Sequence, residues 1–550
     1  MRLGAVLGVL AACSAPQSPH PEPAPPQLPM LAALPKPAPI DTPRFASVAV
    51  CARCHTAGDQ AMRDAAGRDI SPVTDAQGSM MALAARDPYY FAAVRRELAA
   101  NPAAKVAIEA LCIRCHAPVG FAESDGALTV DELTAGTTPA AVLGREGVGC
   151  AGCHALAADG LGTEATFVGN AALRTDRVAF GALPEPLAEA MLAMSMTRPV
   201  SSKHVSESRL CASCHTVLVR ALDPAGAPSG DEIPEQATYL EWRNSEFQDE
   251  LEPAGKSATT CQGCHMPRGA DELGKSPPIT TAFSTRPPDA PAREGYRRHT
   301  LRGGNAYLLR QLARAADWLG AAAPASQLTD AADATEAFLR SSAELELVAR
   351  SAHEVAVTIV NRTGHKLPTG SPTRRMWLHV LAFDRAHRPV FESGATREGT
   401  IVDGKRARID GPGVIVPHRT ELSSPDQILI YEAVPVDAQG RRTHLLLGIA
   451  KIAKDNRILP AGWRADHADA RRTQPVGTDG DRDFVAGRDT VIVRLPATAH
   501  TVAVELLYQS IPPETIESYR PTDSPEAARF LQIAKTPPHP ILLARSALDL

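Results

Sequence analysis

Hydrophobic and polar positions follow two different rhythms along this chain. From residue 353 onward they alternate: Val355, Val357 and Ile359 interleave with Glu354, Ala356 and Thr358. That period of two places side chains on alternate faces of a half-buried strand. MWLHVLAF (376–383), ILIYEAV (428–434), HLLLGIA (444–450), TVIVRL (490–495) and TVAVELLY (501–508) are also strand-like, with turn signals between them. Short strands spaced by polar turns predict a β-sandwich-like unit over 345–510. Upstream the rhythm is helical and brief: DPYYFAAVRRELAAN from Asp87, PLAEAMLAMSM from Pro186 and NAYLLRQLARAADWL from Asn305. The rest of 45–320 reads as loop. Residues 321–344 read as a partly helical connector, and 511–550 as a Pro-interrupted tail packed along the surface. Residues 13–44 are rich in Pro and Ala, a composition that favours extended polyproline II over a packed core.

Composition changes this picture at one point. A length of 550 residues suits two to four domains, but aromatic residues make up only 4%. Something other than aromatic side chains must fill a core of that size. The formal net charge of −5 carries no basic footprint for nucleic acid.

The cysteines supply the missing material. Ten of the eleven fall in five copies of Cys-x-x-Cys-His: CARCH at 51–55, CIRCH at 112–116, CAGCH at 150–154, CASCH at 211–215 and CQGCH at 261–265. This is the attachment signature of c-type haem. Two thiols spaced by two residues meet the two vinyl groups, and the next residue offers an imidazole to the iron. Cys51, Cys54, Cys112, Cys115, Cys150, Cys153, Cys211, Cys214, Cys261 and Cys264 are therefore candidate attachment points. His55, His116, His154, His215 and His265 are candidate proximal ligands. Zinc ribbons and redox dithiols also use Cys-x-x-Cys. Zinc ribbons use such pairs in twos, and neither alternative needs histidine next. With histidine at 17 of 550 positions, five chance placements have a probability on the order of 10⁻⁸. Haem macrocycles are large apolar plates, which answers the aromatic deficit. At about 55 residues per haem between 45 and 320, private domains are excluded, since stable domains start near 50 residues and typically exceed 100.

The eleventh cysteine, Cys13, follows Leu10-Ala11-Ala12, after Met1-Arg2 and a short apolar run. A positive start, an apolar stretch and small residues make an export signal over 1–12. Its ending is similar to a bacterial lipoprotein signal, which implies cleavage before Cys13 and acylation of its thiol. An ordinary secretory signal cut nearby is the alternative. Ser14 in place of Asp implies, within that resemblance, the outer membrane. Two acyl chains anchor stably where one does not. No other apolar run reaches the 18 residues of a spanning helix.

Several longer stretches carry a family resemblance: GSMMALAARDPYY at Gly78, EGVGCAGCH at Glu146, KHVSESRLCASCH at Lys203, YLEWRNSEF before TCQGCHMP, HTLRGGN at His299, NRTGHKLPTGSPTRRMWLHV from Asn361 and KDNRILPAGW from Lys454. The chain resembles bacterial pentahaem cytochromes c of the cytochrome c-554-like group, with a C-terminal β domain. The resemblance implies an α+β multidomain protein: a haem-packed, mostly helical and loop domain followed by a β-sandwich-like one. It implies five covalent haems c and electron transfer in the bacterial cell envelope. The partners are then redox proteins or terminal acceptors, with a membrane held through the lipid anchor, facing periplasm or cell surface.

Five irons call for distal ligands. His204, shortly before Cys211, matches the family's His-before-motif pattern. His299 precedes Leu-Arg-Gly-Gly, where glycines permit close approach to a flat cofactor. His365 lies in a Gly- and Pro-fixed loop after a strand and could reach back from the β domain. Met80 and Met81 stand where relatives often carry a ligand, and thioether ligation raises a haem's potential. Glu246-Phe247 stand where some relatives offer histidine, which leaves one haem short of a ligand. His353, His379 and His444 read as structural strand histidines; His418, His467, His500 and His539 lie in loops without ligand context. Arg374 and Arg375 suit haem propionates or solvent equally. Two functions stay open: a conduit for single electrons, or an oxidoreductase acting on a small nitrogen or sulfur species at a five-coordinate haem.

Overall fold

The computed structural model describes residues 32–550 except 272, 274 and 412. Cys13, the signal and most of the expected tether lie outside the described residues. The chain is built from a helical N-terminal body and a C-terminal pair of packed sheets. No helix among the described residues is long and apolar enough to cross a membrane.

The helical body consists of short helices joined by loops. Its longer members obey ordinary helix chemistry. The helix Pro88–Ala100 starts with Pro at its first position and is capped by Asp87, whose side chain accepts from the Tyr89 N–H. Ala306–Arg314 turns a strongly apolar face inward. The helix Ala325–Leu339, expected as a loose connector, buries Leu328, Ala331, Ala332, Thr335 and Leu339 and packs on Ala306–Arg314. Its apolar residues recur at helical spacing, which gives it a core face. Among the described residues, four strands lie within this part of the chain: β1 (Val178–Gly181), β2 (Arg198–Ser201), β3 (Val217–Leu222) and β4 (Pro228–Gln236). They form two small two-stranded sheets, β1 with β2 and β3 with β4.

The body also begins earlier than the Pro-rich composition implied. Leu34 is buried in a cluster with Phe91 and Ile113, and its N–H donates to the Trp318 carbonyl at 2.8 Å. Thr42 and Phe45 are buried as well. Proline blocks helix and sheet but does not stop an extended chain from lying in a groove.

The sandwich starts with β5 (Ala343–Ser351), β6 (Glu354–Asn361), β7 (Arg375–Phe383) and β8 (Pro389–Ser393). After a short hairpin, β9 (Thr396–Arg397) and β10 (Thr400–Ile401), come β11 (Glu421–Leu422), β12 (Ile430–Val436) and β13 (Lys451–Asp455). It ends with β14 (Arg488–Arg494), β15 (Thr501–Gln509) and β16 (Ile541–Asp549). One sheet has the order β11-β14-β6-β5; the other runs β13-β12-β7-β15-β16, with β8 on β7. Val355, Val357, Ile359, Val491 and Val493 from one sheet meet Leu378, Val380, Val502, Val504 and Leu506 from the other in a single apolar core. That is the interdigitation a sandwich requires.

Two expectations are corrected here. HLLLGIA is not a strand: it forms a single helical turn, Leu446–Gly448, and Leu447 packs against Ala104, Ile108 and Val219 of the helical body. A short apolar run carries no period that separates strand from turn. Residues 511–550 are not a surface tail. The helix Pro525–Ile533 buries Phe530 and Ala527 against Ala92, Tyr307 and Tyr519, and β16 is a full partner of β15. The last segment thus joins both parts of the molecule.

Candidate haem-binding sites

Cys-x-x-Cys-His needs one local property, that its three reactive side chains share a face. A helix supplies it, because residues three and four apart are neighbours on its surface. The first, second, third and fifth motifs end the helices Val48–His55, Lys105–His116, Cys150–His154 and Cys261–His265. The fourth continues the short helix Arg209–Ala212, with the His215 N–H donating to the Cys211 carbonyl at 3.0 Å.

These helices surround a common cavity of about 1840 Å³. All five motif histidines and nine of the ten motif cysteines line it; Cys264 does not, and is exposed. His299, His365, Met80 and Met81 line it too. No disulfide joins the motif cysteines. Among the described residues no group of motif thiols and imidazoles converges closely enough to hold a metal ion, so zinc has no thiolate cage here.

The imidazoles are oriented by carbonyls from distant segments. His55 Nδ1 meets the Phe283 carbonyl at 2.8 Å, His116 Nδ1 that of Ala84 at 3.0 Å, and His154 Nδ1 that of Phe180 at 2.6 Å. His265 Nδ1 meets the Arg302 carbonyl. A carbonyl only accepts, so each Nδ1 carries the proton and each Nε2 presents its lone pair. This is how metal-ligating histidines are held. Burial lowers the pKa of His55, His116 and His265, and pushes His215 down to about 4. These rings are neutral at pH 7.

Two further histidines complete facing pairs. His299 lies opposite His154, with ring centroids 6.2 Å apart and planes 25° from parallel. His365 lies opposite His265 at 6.4 Å and 17°. The Nδ1 of His299 bonds the Arg297 carbonyl at 3.0 Å, and that of His365 the Lys366 carbonyl at 2.9 Å. Burial pushes both rings down to about 4. A metal bridging two imidazoles through bonds of about 2 Å would space the centroids by about 6.3 Å. Both pairs therefore fit an iron between them.

His204 does not fit. It is buried, but Nδ1 meets Ser202 Oγ at 2.6 Å and Nε2 meets the Leu156 carbonyl at 2.9 Å. Neither nitrogen is left for a metal, and the ring instead pins its turn to the third motif. Met80 is partly buried against Leu309, Leu328, Tyr307 and Phe530, while the Met81 carbonyl accepts from the Val148 N–H at 2.9 Å. Both border the cavity. Tyr90 lies flat on His116, centroids 4.0 Å apart, with its hydroxyl buried and unpartnered.

The His365 loop is held by the helical body. Asn361 Nδ2 donates to the His365 carbonyl at 2.8 Å and to the Ile458 carbonyl at 3.1 Å. A Cβ on Gly364 would press on Trp242 and Phe247, so glycine lets the loop seat against YLEWRNSEF. Glu241 Oε2 from that segment accepts the Lys366 N–H at 3.1 Å, and the Glu246 N–H donates to the Ala461 carbonyl at 2.8 Å. Three stretches that carry the family resemblance thus form one dock. Glu246-Phe247, expected to leave one haem short of a ligand, serve this dock instead. The glycines after His299 have a reason besides close approach to a cofactor: a Cβ on Gly304 would collide with the Tyr508 hydroxyl at 2.6 Å.

The sites also touch one another. The thiols of Cys51 and Cys150, of Cys115 and Cys214, and of Cys211 and Cys261 lie within hydrogen-bonding reach. Cys153 is close enough to act electrostatically on Cys211 and Cys214. Sequence reasoning missed these adjacencies and the Nδ1 acceptors, because both are set by segments far apart in the chain. Arg374 borders the cavity and donates to the Thr369 carbonyl at 2.8 Å. Arg375 is buried on Asp410 and Gln509 and is structural. So are His379, between Glu505 and Glu392, and His444, on Glu514. His418, Asp481 and Asp489 cluster in the sandwich, but Asn456 Nδ2 donates to His418 Nδ1 and its Nε2–H is spent on Asp481.

Compared with solved structures, the chain matches a penta-heme cytochrome c552 from Thermochromatium tepidum. The TM-score is 0.52, the identity 19%, and the match covers 92% of this chain and 99% of that one. The two share a fold. The likeness spans both the cavity body and the sandwich, so the union of the two is part of that fold. No family model matches the chain, and no curated protein does.

Proposed function

We propose that this protein is a pentahaem c-type cytochrome that moves single electrons through the bacterial cell envelope. The observation that carries the reading is the two pairs of facing imidazoles, His154 with His299 and His265 with His365, in one cavity lined by all five motifs. Haem c, when bound, supplies a one-electron iron couple. The ten motif cysteines would hold five such groups covalently, and the five motif histidines would ligate them. His299 and His365 would take the opposite positions at the third and fifth sites.

The thiol contacts support a branched order of sites. The first adjoins the third, the third adjoins the fourth, and the fourth adjoins both the second and the fifth. Neighbours this close favour transfer between sites over isolated chemistry. The fifth site reaches the surface at Cys264, which suits exchange with a redox partner or terminal acceptor. Export through the N-terminal signal and a lipid on Cys13 would place the protein on a membrane face.

A second reading has one observation in its favour. His215 stacks on no second imidazole among the described residues, while burial, then His265, Arg374 and His365, act on it. Nearby, burial pushes the Glu235 carboxyl up to about 7, near Arg374 and Arg457. A cation and a protonatable acid beside an open iron position would suit reduction of a small nitrogen or sulfur species.

Intact mass of protein matured with c-type haem should show five haems, and potentiometry should show several overlapping one-electron steps. Nitrite, hydroxylamine and sulfite should be turned over negligibly. Sustained turnover of any of them, abolished by Arg374→Ala, overturns the conduit and establishes the second reading.

A further inference from the structure

The helix Ala188–Ser195 is the least satisfied element of the helical body. Its sequence, AEAMLAMS, is strongly apolar, yet none of its side chains is buried. Leu192 is 43% exposed and Met194 42%. A helix this apolar is ordinarily a buried one. Leu187, Ala190, Met191 and Met194 recur at the i, i+3, i+4, i+7 spacing of one helical face, and all four line the large cavity. The stripe faces the cavity, which is the arrangement an apolar plate there would complete.

The tethers of this helix say which site it serves. At its start the Pro184 and Glu185 carbonyls accept from Arg293 Nη1 at 3.0 and 3.1 Å. Arg293 pairs through its backbone with Thr281, in the segment whose Phe283 carbonyl orients His55. At its end the Ser195 carbonyl accepts from Arg177. Arg177 also donates to the Thr42 carbonyl at 3.1 Å, and its charge acts on the Cys51 thiol. Both ends are therefore fastened to walls of the first site. Of the two added histidines, His299 faces the third motif and His365 the fifth, so neither serves the first. What the first site has instead is a face carrying two thioethers. Met191 stands mid-stripe and is half-buried; Met194 lies nearer the end and is exposed.

We propose that the helix Ala188–Ser195 covers the haem held by Cys51, Cys54 and His55, and that Met191 is the sixth ligand of its iron. This rests on the pentahaem reading. The thioether is neutral and soft, and it favours the reduced iron, so this site takes a higher potential than the two bis-imidazole sites. The electron would then come to rest at the first site, at one end of the branched order.

The test uses the matured holoprotein and four variants: Met191→Ala, Met191→His, Met194→Ala and Met80→Ala. Intact mass counts haems in each. The oxidised protein should show the weak long-wavelength absorption of a thioether on ferric haem. Met191→Ala should abolish that band and convert one haem in five from low to high spin by low-temperature EPR. Met191→His should restore low spin without the band and lower the highest midpoint potential. Met194→Ala and Met80→Ala should leave band and spin state unchanged. A wild-type protein without the band overturns the assignment, as does a band that survives Met191→Ala and Met191→His, or one lost in Met194→Ala or Met80→Ala. Fewer than five haems in the wild type means instead that the pentahaem reading has failed.

Discussion

The two halves of this chain solve the burial problem in opposite ways. The sandwich encloses itself: side chains of two sheets meet in one core that includes Val357, Leu378, Tyr431 and Val504. The helical body divides its apolar residues among small clusters arranged around a cavity of about 1840 Å³. Its motif helices are short, Cys150–His154 and Cys261–His265 being five residues each. Helices of that length do not hold themselves together in water. One half is a finished fold; the other is arranged around a cavity lined by the five motifs.

The largest expected effect follows from this contrast. Protein made without haem attachment, or with the motif cysteines replaced, should lose ordered structure across 45–320 while the sandwich keeps its protection. Hydrogen exchange and limited proteolysis read both halves at once. A helical body that stays protected without haem would show that it is self-supporting after all.

Next comes a side chain that crosses from the sandwich to the cavity. His365→Ala removes a sandwich residue, yet its effect should appear at the fifth haem, as conversion of one low-spin centre to high spin with covalent haem retained. His299→Ala should do the same at the third. An unchanged EPR spectrum in either variant removes that residue as a ligand.

Leu378→Ala tests the finished half. Leu378 is fully buried in the sandwich core, and truncation should cost about 3 kcal/mol. Amide exchange in β6, β7 and β15 under denaturant measures the loss, while the haem spectra should not change. A loss spread equally over both halves would mean that they unfold as one unit.

The smallest effect is one of pH. Burial pushes the Asp489 carboxyl up to about 7, with Asp481 beside it adding to the shift, although the Tyr431 hydroxyl donates to it. Its folded pKa lies above its unfolded value, so the native state binds the extra proton. Its contribution is therefore full below about pH 4 and lost as pH rises through 7. Asp489→Asn keeps an acceptor for Tyr431 and should stabilise the sandwich by on the order of 1–3 kcal/mol above pH 7, with little effect at pH 4. Equal gains at both pH values would exclude titration as the cause.

Much of the architecture was legible where a pattern is local. Strands β6, β7, β14 and β15 announce themselves by alternation. The helix after Asp87 announces itself by its cap and proline. The edge strands β5 and β16 did not, because half of their side chains face water and the apolar signal is diluted. HLLLGIA misled because Leu447 is buried against Ala104, Ile108 and Val219 of the helical body and not through strand pairing of its own. His299 and His365 were singled out by glycines and loop context and stand opposite His154 and His265, yet His204, equally suggestive in sequence, spends both nitrogens on hydrogen bonds.

By itself the sequence determined which residues are candidates for attachment. Thiol, thiol and imidazole three and four residues apart share a helix face wherever the helix lies, so five candidate sites can be read without knowing where any of them sits. Only the tertiary structure decided which imidazole faces which, which sites touch, and which face of the Ala188–Ser195 helix looks into the cavity. Those relations join side chains from segments far apart, as His154 is joined to His299 and His265 to His365. They turn on where a remote carbonyl accepts an Nδ1 proton, as Phe180 and Arg302 do. No spacing along the chain encodes such a distance; packing does.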